Sequence, residues 1–351
     1  MSDLWSILTG DSLSILKKLP KSSIQSVVTS PPYYQLRDYN SDNQIGQEIS
    51  PQEYIDRIVD IFKEVKRVLR RDGSCWINIG EKYAVKDTYK SMDIKTTDLM
   101  LLPWRLADAL QKDRWHIRQM IPWVKPNSLP EHVSCRPNNS LEYVILISKN
   151  RKFYFDMESA KSCMGIKRNW RNGDSLLFMD VPTERTTHNH PAPMPTKLAE
   201  VMIKASTSEK GCCKDCGTPL KRKIKTQSIG GDKTLKGKSQ TYYGGTSKNS
   251  ITSLSSNLSA SQKYTVVETL GWEKQCNCQT TNITKQTILD PFSGSGTTGI
   301  VSLSNGHKYI GIELNKDFAE ESKKRLQECE NKMSEDIFNQ VDDQNSQQNP
   351  S

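Results

Sequence analysis

The segment TILDPFSGSGTTG, Thr287 to Gly299, places Gly294, Gly296 and Gly299 in a G-x-G-x-x-G spacing between an apolar run and a helical pattern. A strand must stop there, turn where a side chain would collide, and pass at once into a helix. The next strand, YIGIE, ends on Glu313, a carboxylate able to accept two hydrogen bonds from a ribose diol. Strand, glycine turn, helix, strand and acid in that order belong to an α/β sheet with a ligand at its carboxyl edge.

The spacing alone is shared with dinucleotide enzymes, and a tight strand–helix turn with no ligand would also produce it. Two details count against a dinucleotide. Asp290 stands directly ahead of the glycines and would repel a pyrophosphate, and Thr297 and Thr298 follow them. The aspartate suits a ligand carrying an ammonium group, such as the methionine end of S-adenosylmethionine.

The first 155 residues repeat the α/β alternation. Residues 1–30 read as strand, turn, helix, strand. PQEYIDRIVDIFKEVKRVL sets Ile55, Ile58, Val59, Phe62, Val65, Val68 and Leu69 on one helical face behind Pro51. RRDGSCWINIG gives a strand, Leu99–Lys112 a helix and HIRQMIPWVK a further strand; SLEYVILISKN and KFYFD read as a strand pair. Residues 156–195 are polar and proline-containing, PTKLAEVMIKAS is a helix, and residues 226–262 read as a flexible Ser/Lys/Gly loop. The tail, rich in Asn, Gln, Ser and acids, reads as disordered.

TSPPYYQLRDY, Thr29 to Tyr39, raises a separate question. Two prolines end a buried strand in a stiff, aromatic turn. Proline fixes φ and removes a donor, leaving carbonyls without ladder partners. A rigid carbonyl, a hydroxyl and an aromatic face side by side suit a flat ring bearing an amine; a plain turn explains the same residues.

Charge points to a polyanion. The formal net charge is +9, and residues 204–250 hold eleven Lys or Arg against Glu209, Asp215 and Asp232. Such clustering suits nucleic acid, although a solvated lysine-rich loop has the same composition. Mean hydropathy is −0.66, no apolar run approaches the roughly 18 residues of a membrane span, and the N-terminus lacks a signal-peptide pattern, so no membrane partner is expected.

Together these stretches resemble one family. DPFSGSGTTG with GIELN is similar to the cofactor site of S-adenosylmethionine-dependent methyltransferases. TSPPY resembles the catalytic turn of DNA methyltransferases that modify exocyclic amines. IPWVKPNSLPEHVSCRPNNSLEYVILISK and HPAPMPTKLAEVMIKAS resemble the segment following that turn and the segment closing over the cofactor. The catalytic turn precedes the glycine turn, the permuted order of the beta class. The resemblance covers roughly residues 4–205 and 285–327.

It implies a doubly wound, mostly parallel, seven-stranded class I methyltransferase sheet, circularly permuted after its second strand, with a small zinc-knuckle insertion. Residues 1–155 would carry the catalytic half, 156–195 target recognition, 196–207 the cofactor-closing helix, 208–282 the basic insertion, 283–328 the cofactor half and 329–351 the tail. A base flipped from double-stranded DNA would enter the turn. Ser30 and the Pro31 carbonyl would accept bonds from its amine, Pro32 would stiffen the turn, and Tyr33 would stack on the ring. Asp11, Asp290, Phe292, Ser293, Gly294, Gly296, Thr297, Thr298 and Glu313 would hold S-adenosylmethionine, with Lys197 a looser candidate. No Pro-Cys dipeptide occurs, which the covalent carbon-5 cytosine enzymes require. Ser-Pro-Pro-Tyr is commoner in cytosine-N4 enzymes and Asp-Pro-Pro-Tyr in adenine-N6 enzymes, so cytosine N4 is the expected target and adenine N6 the alternative. The implied setting is a prokaryotic or phage cytoplasm, within a restriction-modification system, beside a cognate endonuclease without a stable complex. A nucleotide-cofactor oxidoreductase is the remote rival.

Nine cysteines without an export signal argue for metal rather than disulfides. Cys213-x-x-Cys216 and Cys276-x-Cys278 would make a closed structural zinc site, with Cys212 able to replace Cys213; free surface thiols are the plain alternative. Cys75, Cys135, Cys163 and Cys329 read as packing or surface residues. His116, His132, His188, His190 and His307 show no metal spacing, and Arg37 with Asp38 could touch base, phosphate or each other.

Overall fold

The computed structural model describes residues 2–36, 43–85, 93–128, 130–163, 179–184, 194–229 and 264–348. Arg37, Asp38, His188, His190 and most of the Ser/Lys/Gly loop therefore lie outside the described residues. In chain order the elements are β1 (Trp5–Thr9), α1 (Ser12–Leu16), β2 (Ile24–Thr29), α2 (Pro51–Val68), β3 (Leu69–Gly80), α3 (Leu102–Lys112), β4 (His116–Val124), β5 (Leu141–Ser148), α4 (Met157–Cys163), β6 (Met179–Asp180), α5 (Thr196–Ser206), β7 (Cys212–Cys213), β8 (Lys221–Ile229), β9 (Tyr264–Glu273), β10 (Ile283–Thr284), β11 (Thr287–Asp290), α6 (Thr297–Ser304), β12 (Lys308–Glu313) and α7 (Lys316–Gln348).

The central sheet has the order β1-β12-β11-β2-β3-β5-β4-β6. β5 runs antiparallel to both β3 and β4, while β1, β12, β11, β2 and β3 are mutually parallel. Seven strands make the expected mostly parallel sheet. The eighth, β6, is a two-residue edge strand parallel to β4, too short to leave a sequence pattern. The first strand of the chain lies beside the last, Trp5 opposite Tyr309 and Thr9 opposite Glu313, which is the permutation read from the motif order.

Period-2 alternation sorts the sheet residues between two cores. Val27, Ile145, Ile147 and Leu289 face α1, α2 and α3; Val28, Val144, Leu146 and Ile288 face α4 to α7. Helix α2 starts on Ser50, whose hydroxyl accepts from the Glu53 N–H, and buries Tyr54, Ile55, Ile58, Ile61, Phe62, Val65 and Val68. Each such side chain contributes about 1.5–3 kcal/mol on burial.

Two expectations change. KFYFD is not a strand. β5 takes both its partners from β3 and β4, and the backbone of 154–156 turns away, with the Tyr154 N–H on the Asp72 carbonyl and the Asp156 N–H on the Ala205 carbonyl. The helical backbone of α7 also continues through Gln348, past the start of the expected tail. Tertiary contacts order its first part: Cys329 and Met333 pack on the second core, and Glu330 accepts from Ser2 Oγ and Trp5 Nε1, both at 2.8 Å.

The chain divides into two compact units. The larger comprises 1–166, 176–221 and 274–351; the smaller comprises 167–175 and 222–273 and contains most of the two-stranded β8–β9 ribbon. No helix among the described residues is long and apolar enough to cross a membrane.

One glycine tests the second core. A Cβ on Gly299 in α6 would lie 2.5 Å from Tyr309 Cε1 and 2.8 Å from Leu326 Cδ2. The Tyr309 ring is buried and its hydroxyl is 2.9 Å from Ser293 Oγ, so it cannot swing aside freely. Gly to Ala inside a helix normally stabilises by about 1 kcal/mol. Here Gly299→Ala is expected to destabilise by roughly 1–3 kcal/mol through overpacking, read as a lower urea midpoint; a raised midpoint would show that α6 packs less tightly than described.

Candidate active site

Strands β2 and β11 are parallel neighbours, Ser26 opposite Ile288 and Val27 opposite Leu289, so both end at one edge of the sheet. The proline turn follows β2 and the glycine turn follows β11. Buried polar contacts join them. Asp290 Oδ1 accepts from Thr29 Oγ1 at 2.6 Å and from the Phe292 N–H at 3.0 Å, while Oδ2 accepts from Thr298 Oγ1 at 2.8 Å. Burial pushes the Asp290 carboxyl up to about 6, against the opposing pull of these three donors.

Within the glycine turn, Gly294 and Gly296 have φ of +51° and +82°. The Gly294 N–H donates to Glu313 Oε2 at 2.7 Å and the Asn315 N–H to Oε1 at 2.9 Å. This fixes the carboxylate at the end of β12 with lone pairs to spare, and burial raises its pKa. A Cβ on Gly296 would fall 2.3 Å from Ser322 Oγ of α7. That glycine is therefore required by its left-handed φ and by the approach of a helix. Asp11 Oδ2 caps α1 by accepting from the Ser14 N–H, and Ser12 Oγ donates to the Pro291 carbonyl at 2.6 Å, tying the start of α1 to the glycine turn.

These elements surround a cavity of about 600 Å³. Ser30, Pro31, Pro32 and Tyr33 line it, together with Asp11, Asp290, Phe292, Ser293, Gly294, Thr297, Thr298 and Glu313. Gly296 and Lys197 do not line the cavity; Lys197 pairs with Glu200 on α5. Tyr54 Oη donates to the Pro32 carbonyl at 2.9 Å, whereas no donor reaches the Pro31 carbonyl among the described residues.

Sequence reasoning missed the residues that hold Tyr33. Its hydroxyl donates to Glu142 Oε2 at 2.6 Å; Asn78 Nδ2 donates to Tyr33 Oη and to Glu142 Oε2, each at 3.0 Å. Lys125 Nζ pairs with Glu142 Oε1. Burial first, and the Glu142 charge second, keep the phenol well above its usual pKa, so it stays a neutral donor. The ring lies against Gly80, where a Cβ would be 2.7 Å from Tyr33 Cε2. The available signal was polar intrusion: Asn78 interrupts the apolar run of β3, and Glu142 precedes that of β5.

A second cluster is separate from the cavity. The sulfurs of Cys213, Cys216, Cys276 and Cys278 all lie within 4.8 Å of one another. The Gly217 N–H returns to the Cys213 carbonyl at 2.8 Å with φ +68°, giving the tight turn that lets Cys213 and Cys216 converge. Cys212 points elsewhere, toward the Thr284 carbonyl at 3.5 Å, and burial pushes its thiol up to about 11. Arg70, bonded to both Asp72 oxygens, donates to the Cys216 carbonyl at 2.6 Å and moors the knuckle to β3. Cys75 and Cys163 are buried, as a packing role requires, and His307 is buried with Nε2 3.0 Å from Thr207 Oγ1.

A parallel-edge cavity closed by a glycine turn, a fixed carboxylate and a proline-rich turn, on a permuted sheet with one reversed strand, defines the class I methyltransferase type. The profile of the N6/N4 methyltransferase family, described as DNA methylase, matches residues 24–216 and 277–324, and the chain belongs to that family. It is 32% identical to the type II methyltransferase M.Cfr9I of Citrobacter freundii over 341 residues, covering 92% of this chain and 87% of that protein. Against the type II methyltransferase M.SmaI of Serratia marcescens the identity is 30% over 338 residues, with coverage of 91% and 90%. Its fold is similar to that of PvuII DNA methyltransferase (cytosine-N4-specific), with a TM-score of 0.57 at 17% identity over 94% of this chain and 93% of that one. TTHA0409 from Thermus thermophilus, complexed with S-adenosyl-L-methionine, gives a TM-score of 0.52 at 17% identity, covering 92% and 95%.

Gly80→Ala probes the Tyr33 seat without touching the glycine turn. A displacement of about 1 Å at a reacting centre can cost on the order of 100-fold in rate. Methylation of DNA is expected to fall at least tenfold in single-turnover assays, with S-adenosylmethionine affinity unchanged. Parent-like rates would mean that the ring's position is immaterial.

Proposed function

We propose that the protein transfers a methyl group from S-adenosylmethionine to the N4 amine of a cytosine flipped out of double-stranded DNA, as the modification half of a type II restriction-modification system in a prokaryotic or phage cytoplasm. The observation that carries this reading is the shared cavity: an unclaimed proline carbonyl and a serine hydroxyl open into the same space as the glycine turn and its carboxylates. The type II methyltransferases similar over nine-tenths of the chain support the setting. The Ser-Pro-Pro-Tyr turn favours cytosine N4 over adenine N6. Family membership sets aside the oxidoreductase rival.

In this reading three of the cavity's carboxylates, Asp11, Asp290 and Glu313, suit a cofactor that is cationic at sulfur and at its ammonium group. Glu313 would take the ribose hydroxyls, Asp11 the adenine amine, Phe292 would pack on the adenosine, and Asp290, held by Thr29 and Thr298, would face the ammonium. S-adenosylmethionine supplies an electrophilic methyl on sulfonium. The Ser30 hydroxyl and Pro31 carbonyl accept the two amine hydrogens, which turns the nitrogen lone pair out of conjugation and toward that methyl. Transfer would form the N–C bond as the C–S bond breaks, and the amine would lose one proton to solvent. Tyr33, seated by Glu142, Asn78 and Gly80, supplies the stacking face. Proximity and orientation account for most of the acceleration. Residues 156–195 serve target recognition, with a separate endonuclease sharing the site and no stable complex.

Cys213, Cys216, Cys276 and Cys278 would hold one structural zinc ion. Four sulfurs at about 2.3 Å from zinc sit about 3.8 Å apart in a tetrahedron, within the spread seen here. A closed four-thiolate set leaves no position for chemistry, so its contribution is to folding.

Incubation with labelled cofactor and DNA, followed by nucleoside analysis, tests the base: N4-methylcytosine is expected, and N6-methyladenine would select the alternative. Tyr33→Ala is expected to keep cofactor affinity and lose methylation, since base stacking contributes about 1–3 kcal/mol; a parent-like rate would show that the turn is only a turn. The pH dependence follows from Asp290. Its folded pKa is raised, so the free protein takes up a proton there as pH falls through about 6. Cofactor affinity by calorimetry should therefore fall about tenfold for each pH unit below that value. The cofactor-free fold should gain stability over the same interval, because an ionised Asp290 is disfavoured by burial. A flat affinity between pH 5 and 7.5 would remove Asp290 from the ammonium site.

A further inference from the structure

On the reading of this chain as a DNA methyltransferase, we infer that the β8–β9 ribbon is a second DNA-contacting element, gripping the phosphate backbone of the duplex, and that the cysteine cluster is the clasp that closes its root. Strand β8 begins KRKIK, with Lys221, Arg222, Lys223 and Lys225 and no acid. Alternate residues share a face, so Lys221, Lys223 and Lys225 form one row of charges about 6.7 Å apart. All three are exposed. On strand β9 the acids are Glu268 and Glu273, leaving the described ribbon with a cationic excess.

The ribbon has little to stabilise it alone. It is a two-stranded sheet, and such ribbons are marginal in water. Ile224 and Leu270 are 44% and 53% exposed, and Arg222 reaches across the strands, over the Trp272 ring at 4.3 Å and bonded to Thr269 Oγ1 at 3.0 Å. A basic two-stranded ribbon has both the charge for phosphates and the width to enter a major groove. The chain leaves the knuckle five residues after Cys216 and returns three residues before Cys276. The four sulfurs converge, and the two chain segments that carry them are the ones leading into β8 and out of β9; Arg70 and Gln25 moor the knuckle to β3 and β2. Pinning both strands at the root reduces the freedom lost when the ribbon meets DNA.

Phosphate contacts position a protein without reading sequence. Each releases counterions with a slope near −0.9 in log affinity against log salt, so four contacts contribute about 150-fold between 50 and 200 mM salt. The test is the quadruple variant Lys221→Gln, Arg222→Gln, Lys223→Gln, Lys225→Gln in the full chain, with duplex DNA titrated over that salt range. Weaker binding at low salt on every sequence, a salt slope flatter by up to about 3.6, unchanged S-adenosylmethionine affinity and an unchanged methylated site support the inference. Parent-like affinity and slope overturn it. A changed methylated site also overturns it, because the ribbon would then read bases.

The clasp is tested by Cys276→Ser with Cys278→Ser, paired with elemental analysis of parent and variant. One zinc per parent chain, lost in the variant together with DNA affinity while cofactor affinity persists, supports the clasp. Zinc lost with DNA affinity intact overturns it. A metal-free parent defeats the zinc assignment and leaves the quadruple variant to decide the ribbon. A parent that methylates no DNA defeats the functional reading instead, so the failures are distinguishable.

Discussion

The hydrogen bond from Thr29 to Asp290, 2.6 Å long and shut away from solvent, is the contact on which the site depends. It joins the last residue of one strand to the last residue of its parallel neighbour, at the point where one chain segment becomes a proline turn and the other a glycine turn. The two residues are 261 positions apart. Without it the buried Asp290 carboxylate would lose one of its three donors and the only one that comes from β2 among the described residues, and an unmet bond in the interior costs more than the bond contributes. With it, and with Thr298 and the Phe292 N–H completing the shell, an otherwise unfavourable charge becomes a fixed feature of the cavity. Permutation leaves this arrangement intact, because β1 and β12 meet at another position in the sheet and never interrupt the β2–β11 pair.

The remaining polar groups obey the same economy of position. Glu313 is held by two backbone N–H groups from loops on either side of it, and Tyr33 by a carboxylate and an amide from β5 and β3. Each functional atom is seated by another element. The proposed reaction needs no nucleophile from the protein, so rigidity of placement is the contribution the fold can make. Glycines at 80, 296 and 299 show how tightly this is done: a Cβ at each would enter the space of Tyr33, Ser322 or Tyr309.

The cysteine cluster and the ribbon belong to a different balance. The sheet carries two extensive apolar cores; the knuckle has none comparable and is fastened by hydrogen bonds from Arg70 and Gln25 and by the convergence of four sulfurs. Small elements that bury little apolar surface need such staples.

The amino-acid sequence by itself determined the alternation of strands and helices, the two turns, and the cysteine pairs, because each is written in local chemistry: periodicity, glycine and proline backbone limits, and ligand spacing. DPFSGSGTTG and TSPPY were legible for that reason, and so was the permutation, which needs only their order. The tertiary structure decided what depends on distance in space. It chose Cys213 over Cys212 by the direction of the β7 strand, withdrew KFYFD from the sheet because β5 already had two partners, and ordered α7 around Glu330 through residues 2 and 5. It also supplied Asn78, Glu142 and Lys125 around Tyr33, from strands separated by tens of residues, where no spacing in the chain could announce the contact. Local rules fix what a residue can do, and packing fixes which residues do it together.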